Sequence, residues 1–160
     1  MDIVDAATRS RMMSGIRGKN TKPELTIRRL LHAAGFRFRL QRKDLPGKPD
    51  IVLPKYKVVI LVHGCFWHMH DGCHYYRLPT TRTEFWKNKL GGNRLRDSRN
   101  IALLNEAGWR VLVVWECAVR DFDEVVLLSG ITEFIKRENS AMFAEMVSLS
   151  KKLLDKSFAK

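Results

Sequence analysis

A stretch of fourteen residues, from position 63 to position 76, concentrates side chains that can do chemistry. It reads HGCFWHMHDGCHYY and holds four of the five histidines, two of the three cysteines and four aromatic rings. A single histidine is most often a surface or structural residue, and that interpretation suits His32, but it does not explain four in one loop. Imidazole, with an ordinary pKa of about 6.5, can take up and return a proton at neutral pH. Imidazole and thiolate together are also the ligands that zinc prefers. The stretch therefore predicts proton transfer and metal binding.

A carboxylate is expected near this stretch. Asp50 follows Pro49 and precedes the apolar run IVL. Proline cannot donate to a strand ladder, so we expect the strand to begin at Asp50, with the carboxylate at the end of a sheet. Mg²⁺ is held by one or two carboxylates together with water and phosphate oxygens. If the run YKVVILV (56–62) pairs antiparallel with IVL, residues 62 and 63 come close to Asp50. An ordinary turn aspartate is the alternative.

A second metal site is predicted from the spacing of histidine and cysteine. His70-x-x-Cys73 supplies a close pair of ligands, and Cys117 follows the last predicted strand. Structural zinc takes four ligands. The alternative is a set of buried thiols without metal, and Cys65 is interpreted as a packing residue. The spacing leaves the fourth ligand open among His68, Asp71, His74 and Asp97.

Aromatic residues lie next to the candidate ligands. Phe66 and Trp67 are inside the stretch, and Trp86 follows on the next predicted helix, close to Lys87 and Lys89. Apolar side chains that enter between base steps unstack and kink a DNA duplex. A DNA wedge and core packing are both open for Trp86, whereas Phe66 and Trp67 favour the wedge.

The net charge is the clearest feature of the composition. The 29 Lys+Arg outnumber the 17 Asp+Glu, which gives +12 and a pI near 10.0. Such a surplus predicts binding to a polyanion, first of all a nucleic acid. Apolar runs long enough to span a membrane are absent from the sequence. Three cysteines and no hydrophobic leader at the start predict a reducing cytoplasm.

The pattern of the whole chain predicts an α/β protein with a mixed sheet flanked by helices. A basic arm (1–20) precedes a single domain (21–160). Thr21 and Glu24 have the spacing of a capping box at the start of a helix that Gly35 ends. A second capping-box spacing, Thr81 and Glu84, precedes the next helix. The other predicted elements are strands at 36–40, 51–53, 56–62 and 109–115, a helix that Gly91-Gly92 breaks, another at 94–107, and helices from about 121, where Met142, Met146, Leu149 and Leu153 have helical spacing.

Four blocks of the sequence resemble one protein family. PGKPDIVL, HGCFWH, TRTEFW and GWRVLVVWEC occur in the order found in the very-short-patch-repair (Vsr-type) mismatch endonucleases. The resemblance spans residues 8 to 117. It implies a restriction-endonuclease-like fold with a structural zinc site. It also implies a Mg²⁺-dependent enzyme that nicks duplex DNA 5′ to the thymine of T:G mismatches, which arise from deamination of 5-methylcytosine.

The resemblance also implies roles for individual residues. Asp50 and the backbone carbonyl of Val62 correspond to Mg²⁺ ligands, and His68 to the general base, with His63 and Glu24 in support. The zinc ligands correspond to His70, Cys73, Asp97 and Cys117. The DNA-binding set comprises a major-groove wedge (Phe66, Trp67, Trp86), an intercalating Met13, and contacts to the mismatched pair from Lys89 and Asn93. Arg82, Lys87, Arg94 and Arg96 are expected to hold phosphates.

Three alternatives remain beside this interpretation. One is a restriction-type nuclease of the same fold that cuts matched duplex, the second is a non-catalytic zinc module that binds DNA, and the third is a hydrolase with catalytic zinc. We expect a monomer whose partner is double-stranded DNA with a T:G mismatch and not a membrane. Other mismatch-repair proteins are further candidate partners.

Overall fold

The computed structural model describes residues 5–16, 18–137 and 141–147 and contains a five-stranded mixed sheet. Helices pack on both faces of this sheet. The elements are α1 (Ala6–Ser14), α2 (Lys22–Ala33), β1 (Arg39–Leu40), β2 (Ile51–Leu53), β3 (Val58–His63), α3 (Thr83–Glu106), β4 (Arg110–Trp115), α4 (Glu116–Asp121), α5 (Glu124–Lys136) and β5 (Phe143–Met146), with one 3₁₀ turn at Pro54–Tyr56.

The strands lie in the order β1-β2-β3-β4-β5. β1, β2 and β3 are antiparallel, with Ile51 opposite Ile60, whereas β4 and β5 continue parallel to β3. β3 and β4 are buried along almost their whole length. This is the position expected for β-branched runs that are covered on both faces. The predicted strand at 36–40 is shorter in the structure, where only Arg39 and Leu40 pair with β2.

The core has two halves, one on each side of the sheet. On one side, Ile27 and Leu31 of α2 and Ile131 of α5 pack against the sheet. On the other side, Leu104 of α3 packs with alternate residues of β3 and β4. The sheet is thus a rigid platform, and the ends of β2 and β3 are fixed relative to α2 and α3.

The predicted capping box is confirmed at the start of α2. The backbone N–H of Glu24 donates to the Thr21 hydroxyl at 3.5 Å, and that hydroxyl donates to the Glu24 carboxylate at 3.1 Å. The other carboxylate oxygen accepts from the backbone N–H of Asn20 at 2.9 Å. Only 3% of Glu24 is exposed. The cap therefore places a fixed acidic side chain at the N-terminal end of α2.

The predicted break at Gly91-Gly92 is wrong, because α3 runs without interruption from Thr83 to Glu106. Two helical glycines cost about 1 kcal/mol each relative to alanine, which long flanking helical segments can offset. The helix also begins later than the spacing of Thr81 and Glu84 predicted. Arg82 is its N-cap, in the left-handed conformation.

The prediction of helices after residue 121 is correct for α5 and wrong for residues 143–146, which form β5. This segment adds to the free edge of β4, with Val111 opposite Phe143. Ala144 and Met146 then face the α5 side of the sheet, so a period of two competes with the helical spacing of the methionines. Leu149 and Leu153 lie outside the described residues.

Part of the predicted N-terminal arm is helical. Asp5 caps α1 by accepting the backbone N–H of Thr8 at 2.8 Å. Within the described part of the chain, every helix is too short or too polar to cross a membrane.

Candidate active site and metal centre

An open cleft of about 930 Å³ lies where β2 begins and β3 ends. Its walls come from the segment before α2, from α2 itself, from the loop before β2 and from α3. All the side chains and the one backbone group predicted to act in catalysis line this cleft, namely Glu24, Asp50, Val62, His63 and His68.

Asp50 and Val62 meet at the end of the antiparallel pair. The Asp50 carboxylate accepts the backbone N–H of Val62 at 2.8 Å. The N–H and C=O of one strand residue point to the same neighbouring strand. The Val62 carbonyl therefore faces the side where Asp50 lies, directly before the first residue of β2. Carboxylate and carbonyl oxygens suit a hard cation such as Mg²⁺.

Burial makes the Asp50 side chain difficult to ionise in the absence of a cation. Loss of hydration raises its pKa to about 6, and the nearby charge of Glu24 acts in the same direction. The Val62 N–H and the positive charge of Arg28 oppose this shift. A bound divalent cation would relieve the cost of ionising Asp50.

His63 and His68 both line the cleft, and their rings stack face to face. Their ring centroids are 3.9 Å apart and the rings are 3° from parallel. His63 is the last residue of β3 and is 7% exposed. Burial, aided by the charge of His68, lowers the pKa of His63 to about 3. His63 is therefore neutral at physiological pH and can donate or accept a hydrogen bond there.

His68 has a carboxylate partner on α3. Its Nδ1 lies 2.5 Å from a carboxylate oxygen of Asp97. Donation from Nδ1–H to the carboxylate fixes the tautomer in which Nε2 is free to accept a proton. A base that an acid orients in this way is a recurring catalytic arrangement.

A second group of ligands lies behind the histidine loop. Cys65, His70, Cys73 and Cys117 each offer one ligand atom, and these atoms lie within 4.8 Å of one another. The His70 Nδ1 is 3.5 Å from the sulfurs of both Cys65 and Cys117. Three thiols and one imidazole form a usual ligand set for tetrahedral zinc, so the residues fit this ion.

The thiols themselves favour occupation by a cation. A hydrogen bond with Cys117, together with burial, raises the pKa of Cys65. Burial raises the pKa of Cys73. Without a cation the Cys65 and Cys73 thiols are protonated at neutral pH, whereas a bound divalent metal stabilises thiolates.

Four aromatic rings cluster at the mouth of the cleft. Trp86 lies 5.5 Å from Phe66 and 6.1 Å from Trp67, and Phe85 lies 5.4 Å from Trp86, all measured between ring centroids. The Lys89 ammonium is between 5.8 and 5.9 Å from three of these rings. All four rings are partly or largely exposed, so they form a surface and not a core.

Asn93 joins this aromatic cluster to the cleft. Its side-chain amide donates to the backbone carbonyl of Trp67 at 3.1 Å, and both residues line the cleft. Met13 is partly buried on α1, and Ile16 and Lys19, which follow α1, line the cleft. Of the expected phosphate ligands, Arg94 pairs with Asp71 at 2.5 Å.

Comparison with known proteins assigns the family. The family model described as DNA mismatch endonuclease Vsr matches residues 1–74. DNA mismatch endonuclease Vsr of Escherichia coli (strain K12) is 50% identical over 143 residues, which cover 88% of this chain and 91% of the relative. The chain belongs to the Vsr family.

Other Vsr-like relatives are named as nicking enzymes. Type II nicking enzyme V.XorIIP of Xanthomonas oryzae pv. oryzae is 51% identical over 120 residues, or 75% of this chain and 88% of the relative. Type II nicking enzyme V.NmeAIP of Neisseria meningitidis serogroup A is 44% identical over 120 residues, or 75% of this chain and 85% of the relative.

The structure of this Vsr protein groups other side chains than the zinc ligands that the resemblance implied. Asp97 is not with His70, Cys73 and Cys117, because its position on α3 directs it to His68. Cys65, interpreted as a packing residue, takes the fourth place. The chain turns sharply after β3 and brings Cys65 against the start of α4, which carries Cys117. All three cysteines of the chain thus lie in one candidate metal site, and their small number is the sequence signal that points to Cys65.

Two further residues of this Vsr site were missed from the sequence. Glu116 lines the cleft and accepts the backbone N–H of Cys65 at 3.3 Å, so it anchors the turn between His63 and His68. Phe85 extends the aromatic cluster. Neither residue belongs to a pattern that spacing alone reveals.

Proposed function

We propose that this protein nicks duplex DNA 5′ to the thymine of T:G mismatches, by Mg²⁺-dependent hydrolysis of one phosphodiester bond. The proposal includes a restriction-endonuclease-like fold. The enzyme would act as a monomer in the cytoplasm, and its T:G substrates would arise from deamination of 5-methylcytosine. One observation carries it: Asp50 and the His68–Asp97 pair share one cleft, and aromatic rings stand at its mouth. The names of the relatives support both mismatch recognition and nicking.

The chemistry follows from the protonation of His68. Asp97 holds Nδ1–H, so Nε2 accepts the proton of a water molecule that attacks the phosphorus. The bond from the water oxygen to phosphorus forms while the bond from phosphorus to the 3′ oxygen breaks, and the leaving oxygen takes a proton from a solvent water molecule. Neutral His63 orients the phosphate or water by hydrogen bonding. Mg²⁺ bound by Asp50 and the Val62 carbonyl would supply charge neutralisation on the phosphate.

Glu24 supports this site without direct contact with Asp50 in the structure. Its carboxylate accepts hydrogen bonds from the backbone N–H of Asn20, from the Thr21 hydroxyl and from the Arg28 guanidinium, the last at 2.9 Å. We infer that Glu24 tunes the charge around the Mg²⁺ site and orders the segment before α2.

Selectivity for the mismatch comes from deformability. A T:G wobble pair is easier to distort than a matched pair, so a wedge discriminates between them by the cost of bending. Phe66, Trp67 and Trp86 provide the wedge, and Lys89 and Asn93 lie where they can contact the pair. Met13 on α1 would enter from the other side of the duplex.

The role proposed for zinc is structural. Bound by Cys65, His70, Cys73 and Cys117, it would close the loop that presents His68 to the cleft. This differs in one ligand from the set that the resemblance implied.

The direct test compares duplexes that differ in one base. With Mg²⁺, we expect single-strand nicking 5′ to the thymine of a T:G duplex and at least about 10²-fold slower nicking of the T:A duplex, since each mismatched contact is worth about 1–3 kcal/mol. Asp50→Ala should abolish nicking and leave DNA binding largely intact. Asp44→Ala, which removes an exposed carboxylate paired with Arg42, is the matched control.

Two results would contradict the proposal. Equal nicking of the T:G and T:A duplexes would favour a restriction-type nuclease. DNA binding without nicking under any divalent metal would favour a non-catalytic zinc module.

A further inference from the structure

A second cavity, of about 420 Å³, adjoins the active site next to β5. It shares three side chains with the main cleft, those of His63, His68 and Asp97. These three residues can therefore be reached from either cavity. DNA that fills the main cleft would still leave them open to a small ion from the second cavity.

The three shared side chains are arranged as a ligand set. Each offers one ligand atom, and the three atoms lie within 4.8 Å of one another. They come from three different elements: His63 from the end of β3, His68 from the loop and Asp97 from the middle of α3. Trp115 supports them from behind, with its ring centroid 5.3 Å from that of His63. The three residues are thus held close together, and the parallel rings of His63 and His68 must turn for their nitrogens to face one ion.

The ligand atoms select the kind of ion. Two imidazole nitrogens and one carboxylate oxygen favour zinc and similar transition metals, whereas Mg²⁺ prefers oxygen ligands. Tetrahedral zinc with bonds of about 2.0–2.2 Å holds its ligand atoms about 3.4 Å apart. The atoms of this set lie within 4.8 Å of one another, so rotations of the side chains must bring the wider pairs together.

We propose that His63, His68 and Asp97 form a second zinc site, and that zinc bound there stops nicking. The ion would take the nitrogen of His68 and the carboxylate that orients it, so His68 could no longer accept a proton from water. The loss of nicking rests on the proposed role of His68 as the base, whereas binding of the ion rests on the geometry alone.

The second cavity also explains how the ion would arrive. Asp71 and Glu145 line it, and negative charge at an entrance raises the local concentration of cations. Arg94 pairs with Asp71 and balances part of this charge. Inhibition should therefore not depend on the concentration of DNA.

The binding test measures zinc per protein chain with Zn²⁺ alone as the probe. In excess free Zn²⁺ we expect two equivalents in the unchanged protein, one equivalent in His63→Asn and in Asp97→Asn, and one in Cys73→Ser, which loses the other site. His74→Asn is the control, because His74 lies 3.8 Å from Asp121 but belongs to neither ligand group of the described residues, and it should keep two equivalents. One equivalent in the unchanged protein, or two in both triad variants, overturns the site.

The activity test follows nicking of a T:G duplex in Mg²⁺ as Zn²⁺ is added. Loss of a general base lowers rates by about 10²–10⁴-fold, so we expect a fall of at least about 10²-fold. A chelator too weak to remove the cysteine-bound zinc should restore nicking. A second equivalent bound without inhibition overturns the proposed switch, and relief of inhibition by tenfold more DNA overturns the entry route. Absence of nicking before zinc is added would refute the proposed function instead. The number of zinc equivalents per chain would still show whether the second zinc site exists.

Discussion

At the scale of single residues, Asp50 shows a conflict between stability and function. A carboxylate that pairs only with one backbone N–H in a buried position is costly to ionise. Its raised pKa reflects this cost. Among the described residues, no cationic side chain pairs directly with this carboxylate, so a metal ion can bind there.

Asp50→Asn should make the metal-free protein more stable at high pH. The folded-state pKa of about 6 lies above the ordinary 3.8, so the contribution of this group to stability is full below pH 3.8 and is lost as the pH rises through 6. The difference corresponds to about 3 kcal/mol at pH 8. We expect the free energy of unfolding in urea, without Mg²⁺, to be higher for the variant at pH 8 by about 1–3 kcal/mol and nearly equal at pH 4.

The matched control for this experiment is Asp44→Asn. Asp44 is exposed and pairs with Arg42, so its replacement should bring no gain in stability at any pH. A gain for Asp50→Asn that is the same at pH 4 and pH 8 would contradict the assigned cause.

At the scale of elements, the continuity of α3 aligns the proposed DNA-binding residues with a proposed catalytic residue. Trp86, Lys89, Asn93 and Asp97 follow one another at intervals of three or four residues and so share one face of the helix. This face meets the histidine loop at Trp67 and His68. A break at Gly91-Gly92 would have uncoupled the aromatic cluster from the partner of the base.

Gly92→Ala should stabilise the protein. Among the described residues, no atom lies within 4 Å of the position that the new Cβ would take, and the residue is inside a helix. Alanine is favoured over glycine there by about 0.5–1 kcal/mol. Urea unfolding should show that gain.

Gly35→Ala is the contrasting variant. Its new Cβ would also meet no described atom within 4 Å, but Gly35 has a φ of +87°. We expect a loss of about 1 kcal/mol there, because side chains disfavour the left-handed region. Equal changes in the free energy of unfolding for Gly92→Ala and Gly35→Ala would mean that backbone conformation does not determine the effect of the substitution.

At the scale of the whole molecule, the histidine loop depends on anchors outside itself. Residues 64–82, all of them described, contain neither helix nor strand. The loop is held to α4 by the cysteine cluster, by Glu116 and by a hydrogen bond from the Tyr75 hydroxyl to Asp121 at 2.7 Å. A loop of this length in a compact domain is usually functional.

Cys73→Ser should therefore weaken the fold as well as metal binding. Binding of a structural metal contributes to the free energy of folding, and loss of one ligand should cost about 3 kcal/mol or more. We expect a lower unfolding midpoint and a loss of the tightly bound zinc. Arg77→Ala, an exposed change in the same loop, should leave both unaltered. Less than half an equivalent of zinc in the unchanged protein would count against this site.

Local patterns in the sequence determined much of this protein. The cap formed by Thr21 and Glu24, the two β-branched central strands and the start of β2 at Ile51, directly after Asp50, all follow from interactions over a few residues. Charge and motif order also indicated an enzyme acting on DNA, and the family assignment agrees. Such features follow from the sequence alone, because short-range propensity and hydrophobic periodicity decide them.

Only the tertiary structure decided which ligands meet. His68 and Asp97 are 29 positions apart, and the path of an irregular loop brings them together. The same path gives Cys65, and not Asp97, to the cysteine cluster. β5 likewise formed because β4 offered a free edge, which outweighed the helical spacing of its residues. Contacts of this kind depend on the direction of side chains and the geometry of the sheet, and residue spacing along the chain carries neither.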